Sequence, residues 1–456
     1  MILAMIVVLA IPLFISLPTI ISGYFIFNLY RWGGIAVAII PISAFYVISF
    51  CLSTVLVKWL ALGKSKEEEF SIYSVKYVRK WLVDTLLHFS LIAVRTVYAT
   101  IYVPAWLRLL GAKVGRRAEV STVNQISTDL LHIGKESFLA DSVSIGAPVI
   151  RRGIMYLKKT GIGDRTFIGN SAVLVSGREV GDNALVGVLS TPPPDLSIAQ
   201  TNNTSWLGSP PMFLPRRQIA EGFTDKQTYA PPLYMILLRG FIEFFRVTLP
   251  LAIPTLLIMM FYHFIGIKVG EESTLKLMWH ATLYFALVSC AMALIAVAAK
   301  WILIGRYKPT QKPLWSTYVW RNELVNSLCE SMAYPYFVNF LLGTPFCSFF
   351  FKLMGSSFGK RVFMETTEIT EFDLVKVKDN VALNFGCTIQ THLFEDRVMK
   401  MSYLHIMQDC SVGPMAVVLY NSEMQQASSL SGLSLLMKGE VLPAKTHWQG
   451  SPARQG

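Results

Sequence analysis

Charge is what this sequence has least of. Asp, Glu, Lys and Arg make up 15% of the 456 residues, against 53% hydrophobic ones; a soluble globular chain carries about 25% charged residues. The shortage is concentrated, because 1–30, 32–57, 247–267 and 277–299 hold none of the four charged types. Each run is long enough to cross a bilayer core, which takes about 20 apolar residues. The first run lacks the basic start and small-residue cleavage site of a secretory signal. A multi-pass membrane protein with two helix hairpins is therefore expected. Metal-spaced cysteine pairs are also missing. Cys51, Cys290, Cys329, Cys347, Cys387 and Cys410 stand apart, which argues against a zinc-type site and for free thiols in a cytoplasmic setting. No GxSxG nucleophile motif is present. No nucleic-acid-binding motif accompanies the net charge of +12, which suits anionic lipid or an acidic partner.

The charges that do occur are placed unevenly. The tip between the first two apolar runs carries Arg31 alone, and the second tip offsets Lys268 with Glu271 and Glu272. The far ends carry Lys58, Lys64, Lys66, Lys76, Arg79 and Lys80 in one case, and Lys300, Arg306, Lys308 and Lys312 in the other. The positive-inside rule then puts the tips outside and the remainder in the cytoplasm.

The chain also repeats itself. Gly63-Lys-Ser-Lys66 matches Gly305-Arg-Tyr-Lys308, and Arg79, Leu82, Val83 and Leu86 match Arg321, Leu324, Val325 and Leu328, all at an offset of 242. Gly111, Gly115, Thr122 and Asp129 match Gly355, Gly359, Thr366 and Asp373 at an offset of 244. Trp206-Leu-Gly-Ser-Pro210 matches Trp448-Gln-Gly-Ser-Pro452. With Gly169, Ala172 and Val173 matching Gly413, Ala416 and Val417, again at 244, five ordered matches near one offset define a duplication. Within each copy an aliphatic residue, commonly followed by glycine, recurs every six positions. Ile162-Gly163, Ile168-Gly169, Leu174, Val180-Gly181 and Val186-Gly187 show it in the first, and Val377, Leu383, Ile389, Ile406, Val412-Gly413 and Val418 in the second. That period is neither 3.6 nor a simple 2. It fits a hexapeptide-repeat β-helix in which three hexads make one triangular coil.

The expected fold is thus membrane α plus all-β. It has two tandem left-handed parallel β-helix modules, each preceded by a transmembrane helix hairpin and an interfacial helix. The boundaries are hairpin 1–62, interfacial segment 63–110, module 111–217, linker and interfacial helix 218–246, hairpin 247–304, interfacial or re-entrant segment 305–354 and module 355–456. The uncharged stretch 331–351 is long enough to span, but Pro335, Gly343 and Pro345 interrupt it. Arg216 and Arg217, just after the first module, read as contacts to lipid headgroups.

The hexad step breaks at equivalent points, after Ile145 and after Ile389, and resumes at Ile162 and Ile406. The second break holds the polar run His392, Glu395, Asp396 and Arg397, a loop leaving a rigid scaffold. Among seven histidines, His263 and His280 fall in apolar runs, His88 in an interfacial segment, and His132 and His405 beside inward aliphatics. His392 is the best-placed general base, since imidazole titrates near neutral pH. Glu395 or Asp396 would orient it or hold an ammonium group, and Arg397 would pair with an acid or a phosphate-bearing arm. The same cluster also reads as a solvated loop, and spacing alone does not separate the two. Its repeat position is Pro148, so the histidine belongs to the second module only. Glu371 and Asp373 form a second polar site for substrate. Asp373 recurs as Asp129, which favours a structural role for that pair; Glu371 is Ser127 in the first copy and stays open to function.

The stretches "WLGSPPMFLPRR", "TEFDLVKV", "IQTHLFEDRVMK" and "LLMKGEVLPAKTHWQGSPA" resemble the C-terminal membrane region of amino-acid homopolymer synthetases, the poly-ε-lysine-synthetase type of non-ribosomal peptide synthetase. The first module resembles hexapeptide-repeat acyltransferases more generally. The resemblance implies amide or isopeptide bond formation from a phosphopantetheine-linked thioester, on a carrier domain or CoA, to an amine acceptor. No bound cofactor and no metal are implied. This chain departs from that pattern in carrying no adenylation or carrier domain and two modules in place of three. A subunit served in trans, a piece of a longer chain and a different acyl donor remain open.

The leading expectation is a membrane acyltransferase using His392. Two alternatives stand beside it. One is a non-catalytic membrane scaffold that binds carrier domains; the other is an O-acetyltransferase that uses acetyl-CoA. Simple hexapeptide enzymes are commonly trimers, so a homo-oligomer is open, although two modules in one chain would replace part of that assembly.

Overall fold

The computed structural model describes residues 2–215 and 222–456, and the expected headgroup contacts Arg216 and Arg217 lie outside them. The chain divides into two compact units, Met1–Gln218 and Ile219–Gly456.

Among the described residues, three helices are long and apolar enough to cross a membrane: Ser16–Leu62, Asp225–Lys268 and Thr274–Leu303. The two N-terminal runs lie in the helical stretch Ile2–Val57, which is two helices meeting at a kink at Arg31 (φ 53°, ψ −149°). In the second unit, Leu233–Lys268 and Thr274–Leu303 follow each other closely, and the rings of Phe264 and Tyr284 stack at 4.5 Å. The stretch 331–351 is not among the three long helices. It is divided into Cys329–Ala333, Tyr334–Tyr336, Val338–Leu341 and Pro345–Leu353. Pro335 and Pro345 lie inside it; each lacks the N–H that would continue the ladder.

The hexad reading accounts for the β structure. In the first unit the chain visits three parallel sheets in rotation. Lys113–Val114, Leu131–Ile133, Thr160–Ile162 and Glu179–Val180 line one sheet, and Glu119–Val120, Phe138–Leu139, Phe167–Ile168, Leu185–Val186 and Ser205–Leu207 the next. Val123–Asn124, Val143–Ala147 and Val173–Val175 form the third. Ile162 pairs with Val180, and Ile168 with Val186, so one full coil is three hexads. The inward aliphatics Ile133, Leu139, Ile145, Ile162, Ile168, Leu174 and Val186 are each 0 or 1% exposed. At about 25 cal/mol per Å² of apolar surface removed from water, this continuous column is the main stabilising element. Glycine follows the aliphatic because coils stack closely there. A Cβ on Gly134 would stand 2.4 Å from the Gly163 carbonyl carbon.

The second unit repeats the plan. Val375–Val377 pairs with Leu404–Ile406, Ala382–Leu383 with Ser411–Val412, and Thr388–Gln390 with Val417–Leu419, all parallel. Val377, Leu383, Ile389, Ile406, Val412 and Val418 are all at most 1% exposed. The Trp-x-Gly-Ser-Pro motif ends each series by turning the chain back. Ser205–Leu207 pairs antiparallel with Met212–Phe213, and His447–Gln449 with Arg454–Gln455.

Each break in the hexads is a β-hairpin rather than an irregular loop. Val149–Arg151 pairs with Ile154–Leu157, and His392–Glu395 with Val398–Met401. A third strand from the preceding segment is added to each, Glu68–Ser71 in the first unit and Thr310–Pro313 in the second.

Candidate active site

The site in the second unit begins with the register of one coil. Ile369 bridges Ile389 in parallel, which brings Thr370 and Glu371 beside Thr391 and His392. Thr391 Oγ1 donates to Glu371 Oε2 at 2.7 Å and also meets the Thr370 hydroxyl at 3.2 Å. His392 Nδ1 lies 2.7 Å from the same Glu371 Oε2. A carboxylate only accepts, so Nδ1 carries the hydrogen, and in the neutral ring Nε2 keeps the lone pair. The His392 side chain is 13% exposed and that of Glu371 0%.

A fully buried carboxylate needs compensation. Beyond Thr391 and His392, the second oxygen is held by helix Thr317–Leu328, where Asn322 Nδ2 donates to Glu371 Oε1 at 3.0 Å. Asn322 is in turn fixed by Tyr307, whose hydroxyl donates to Asn322 Oδ1 at 2.6 Å. Asn322 is 0% and Tyr307 2% exposed. Burial pushes the Glu371 carboxyl up, but the His392 ring and the Thr391 and Thr370 hydroxyls outweigh it and hold the group below the usual carboxylate range. Burial, with the Glu371 charge nearby, pushes the Tyr307 phenol well up, so it stays a donor.

Glu371 also sits in the left-handed region, at φ 38°, ψ 62°. That conformation costs a non-glycine residue about 1–3 kcal/mol, and such strain clusters at functional sites. Its repeat equivalent Ser127 is relaxed, at φ −101°, ψ 89°.

The other expected site residues fall elsewhere. Glu395 follows His392 by three positions on one strand, so the two point to opposite faces about 10 Å apart. Its carboxylate is held by Lys400 at 2.8 Å and by Lys438. Asp396 and Arg397 form the two-residue hairpin turn, at φ 47° and 61°, the pair of positive angles that a tight hairpin requires. Arg397 is 2% exposed, with its guanidinium 5.0 Å from the Tyr229 ring centroid. Its carbonyl accepts from Leu314 N at 2.8 Å. Asp373 forms a buried ion pair with Lys300 at 2.7 Å and accepts from Tyr307 N at 3.0 Å.

The contact on His392 is therefore made by Glu371, which sequence reading had assigned to a separate polar site. Asn322, Tyr307 and Thr391 had not been singled out. One signal was available, because Glu371 is the acidic residue one coil before His392. The first unit has none of this set. Lys80 stands at the position of Asn322, Ser127 at that of Glu371 and Pro148 at that of His392. Among the described residues, no group of three His, Cys, Asp or Glu could hold a metal ion.

This arrangement can move a proton. Nε2 can accept one while the buried carboxylate stabilises the imidazolium that forms.

No family model matches the chain. Over 414 residues it is 39% identical to a delta-poly-L-ornithine synthetase from Acinetobacter baumannii (strain AB307-0294); the match takes in 91% of this chain and 31% of that protein. The chain thus spans under a third of that relative, and the resemblance to amino-acid homopolymer synthetases holds across nearly all of its own length. Solved structures with partial likeness include a maltose O-acetyltransferase from Clostridium difficile 630 (14% identity, TM-score 0.21, 26% of this chain and 79% of that one). A galactoside acetyltransferase in complex with coenzyme A is also 14% identical (TM-score 0.22, 24% of this chain and 68% of that one). A soybean serine acetyltransferase complexed with serine is 13% identical (TM-score 0.21, 48% of this chain and 76% of that one). Likeness at these scores transfers neither fold nor function.

Proposed function

We propose that this chain, similar over 91% of its length to part of a poly-amino-acid synthetase, is an integral-membrane acyltransferase that joins an amine to an acyl thioester. His392 is the general base and Glu371 orients it. The reading is carried by the 2.7 Å contact between His392 Nδ1 and the buried Glu371 carboxylate. As the acceptor nitrogen attacks the thioester carbonyl, Nε2 takes its proton. The tetrahedral intermediate then collapses, the C–S bond breaks, and the imidazolium returns the proton to the departing thiolate. A general base of this kind contributes about 10²- to 10⁴-fold in rate.

The donor is a phosphopantetheine-linked thioester, on CoA or a carrier domain, and the similarity to a delta-poly-L-ornithine synthetase favours an amino-acid amine as acceptor. Glu395, Asp396 and Arg397 shape the hairpin that bears His392, and Asp373 anchors the coil. Both β-coils are read as left-handed and cytoplasmic. The apolar helices are read as two hairpins with their tips outside, and 63–110, 218–246 and 305–354 as lying at the membrane surface.

The first unit has Ser127 and Pro148 in place of the Glu–His pair, which favours a binding role for it without acid–base chemistry. The test is turnover of an aminoacyl-thioester with a diamine by purified protein in lipid. His392→Ala and Glu371→Gln should each lower the rate at least 100-fold while the protein stays folded in the membrane. Full activity of His392→Ala would remove the assignment.

A further inference from the structure

The first unit has a cavity of about 400 Å³ at the position where the second unit carries its histidine. Pro148, the repeat equivalent of His392, is part of its wall. The opposite wall is helix Val75–Ala93, which presents Asp84 and His88 one turn apart, and Asn124 lines it from the β-coil.

The polar groups in this cavity are unevenly satisfied. Lys80 donates to Asp84 Oδ1, while Asp84 Oδ2 takes no hydrogen bond among the described residues. The same holds for the His88 imidazole and the Asn124 carboxamide. Lys80 is 2% exposed and is not part of the cavity wall, so it stands behind the carboxylate rather than in the cavity. Lys80 pairs with one oxygen of Asp84, whose side chain is 36% exposed and lines the cavity. The wall also holds Thr85 and Gln125, and its hydrocarbon comes from Leu91, Ile126 and Ile150 among others.

We propose that this cavity is a binding site for a primary alkylammonium group. Its N–H donors meet Asp84 Oδ2 and Asn124 Oδ1 beside the His88 ring, and the methylene chain lies against Leu91, Ile126 and Ile150. The match is one of kind as well as size. The cavity offers the acceptors of Asp84 and Asn124 together with the hydrocarbon of Leu91, Ile126 and Ile150, and an ammonium is opposite in charge to the free oxygen of the Asp84 carboxylate. The inference concerns the first unit alone and does not depend on acyl transfer in the second.

The experiment is calorimetric titration of the full chain in detergent with n-butylamine, and with n-butanol as the neutral isostere. The amine is expected to bind at least tenfold more tightly than the alcohol. Asp84→Asn should remove that preference, and Ile150→Trp, which fills the cavity and leaves the Lys80–Asp84 pair intact, should abolish binding. His392→Ala should bind the amine as the parent does, even if it has lost turnover. Equal affinity for amine and alcohol, or amine binding that survives Ile150→Trp, overturns the proposal.

Discussion

Lys300 Nζ lies 2.7 Å from Asp373 Oδ2, with 0% and 6% of the two side chains exposed. The first unit repeats the pair as Lys58 and Asp129 at 2.8 Å. In both units the aspartate also accepts from a backbone N–H just beyond the apolar helix, that of Tyr307 at 3.0 Å and that of Ser65 at 2.9 Å. The adjacent tryptophans reinforce the joint. Trp301 Nε1 donates to Leu353 O and Trp59 Nε1 to Leu109 O, and each ring lies under the lysine ammonium. A long apolar helix is thus tied to the first turn of a β-coil by one buried ion pair, used twice.

Breaking that pair on one side strands a buried charge. Lys300→Met is expected to destabilise the second unit by about 3–5 kcal/mol. Adding Asp373→Asn should recover part of the loss, because the stranded carboxylate is gone. Thermal denaturation of the purified protein in detergent measures both, and an unchanged midpoint for Lys300→Met would count against the joint.

Asn322 acts on His392 only through Glu371. Asn322→Leu leaves Glu371 Oε1 and the Tyr307 hydroxyl unpaired in a buried site, at a cost of about 1–3 kcal/mol. For turnover, kcat should fall with little change in KM, since the acceptor amine does not touch Asn322. A change confined to KM would place Asn322 in substrate binding instead.

The acid limb of stability follows from Glu371. Its folded pKa is held below the unfolded carboxylate value, so its contribution is complete above about pH 4.3. It is lost as pH falls through the lower folded value. Glu371→Gln should lack this step, so the stability difference between parent and variant should shrink as pH drops below about 4. Parallel curves down to pH 3 would show that Glu371 gains nothing from its partners.

The β-coils make a separate demand. Gly134→Ala puts a methyl 2.4 Å from the backbone of the next coil, and overpacking of this kind costs about 1–3 kcal/mol. The equivalent position in the second unit carries Lys378. A Gly134→Ala protein with an unaltered melting midpoint would be inconsistent with this close approach.

Much of the architecture was legible before any coordinates. A six-residue aliphatic period can bury one side chain per hexad only by coiling, and runs of about 20 uncharged residues need an apolar surrounding. The duplication also fixed where the two hairpins leave the coils and that only the second bears a histidine. The hairpin form itself was not visible, because it depends on a third strand, Thr310–Pro313, reaching Val398–Met401 from far along the chain.

The sequence by itself determined the repeat, the inward faces and His392. Only the tertiary structure decided what holds His392. Glu371 is 21 positions away along the chain, and Asn322 a further 49 from Glu371. Glu395 and Asp396, nearer in sequence, lie further along the same strand and in its turn. Strand geometry carries neighbours apart at about 3.3 Å per residue and to alternate faces, whereas one turn of the coil returns a distant residue to the adjacent strand. The buried carboxylate on the imidazole is therefore the one a full coil away.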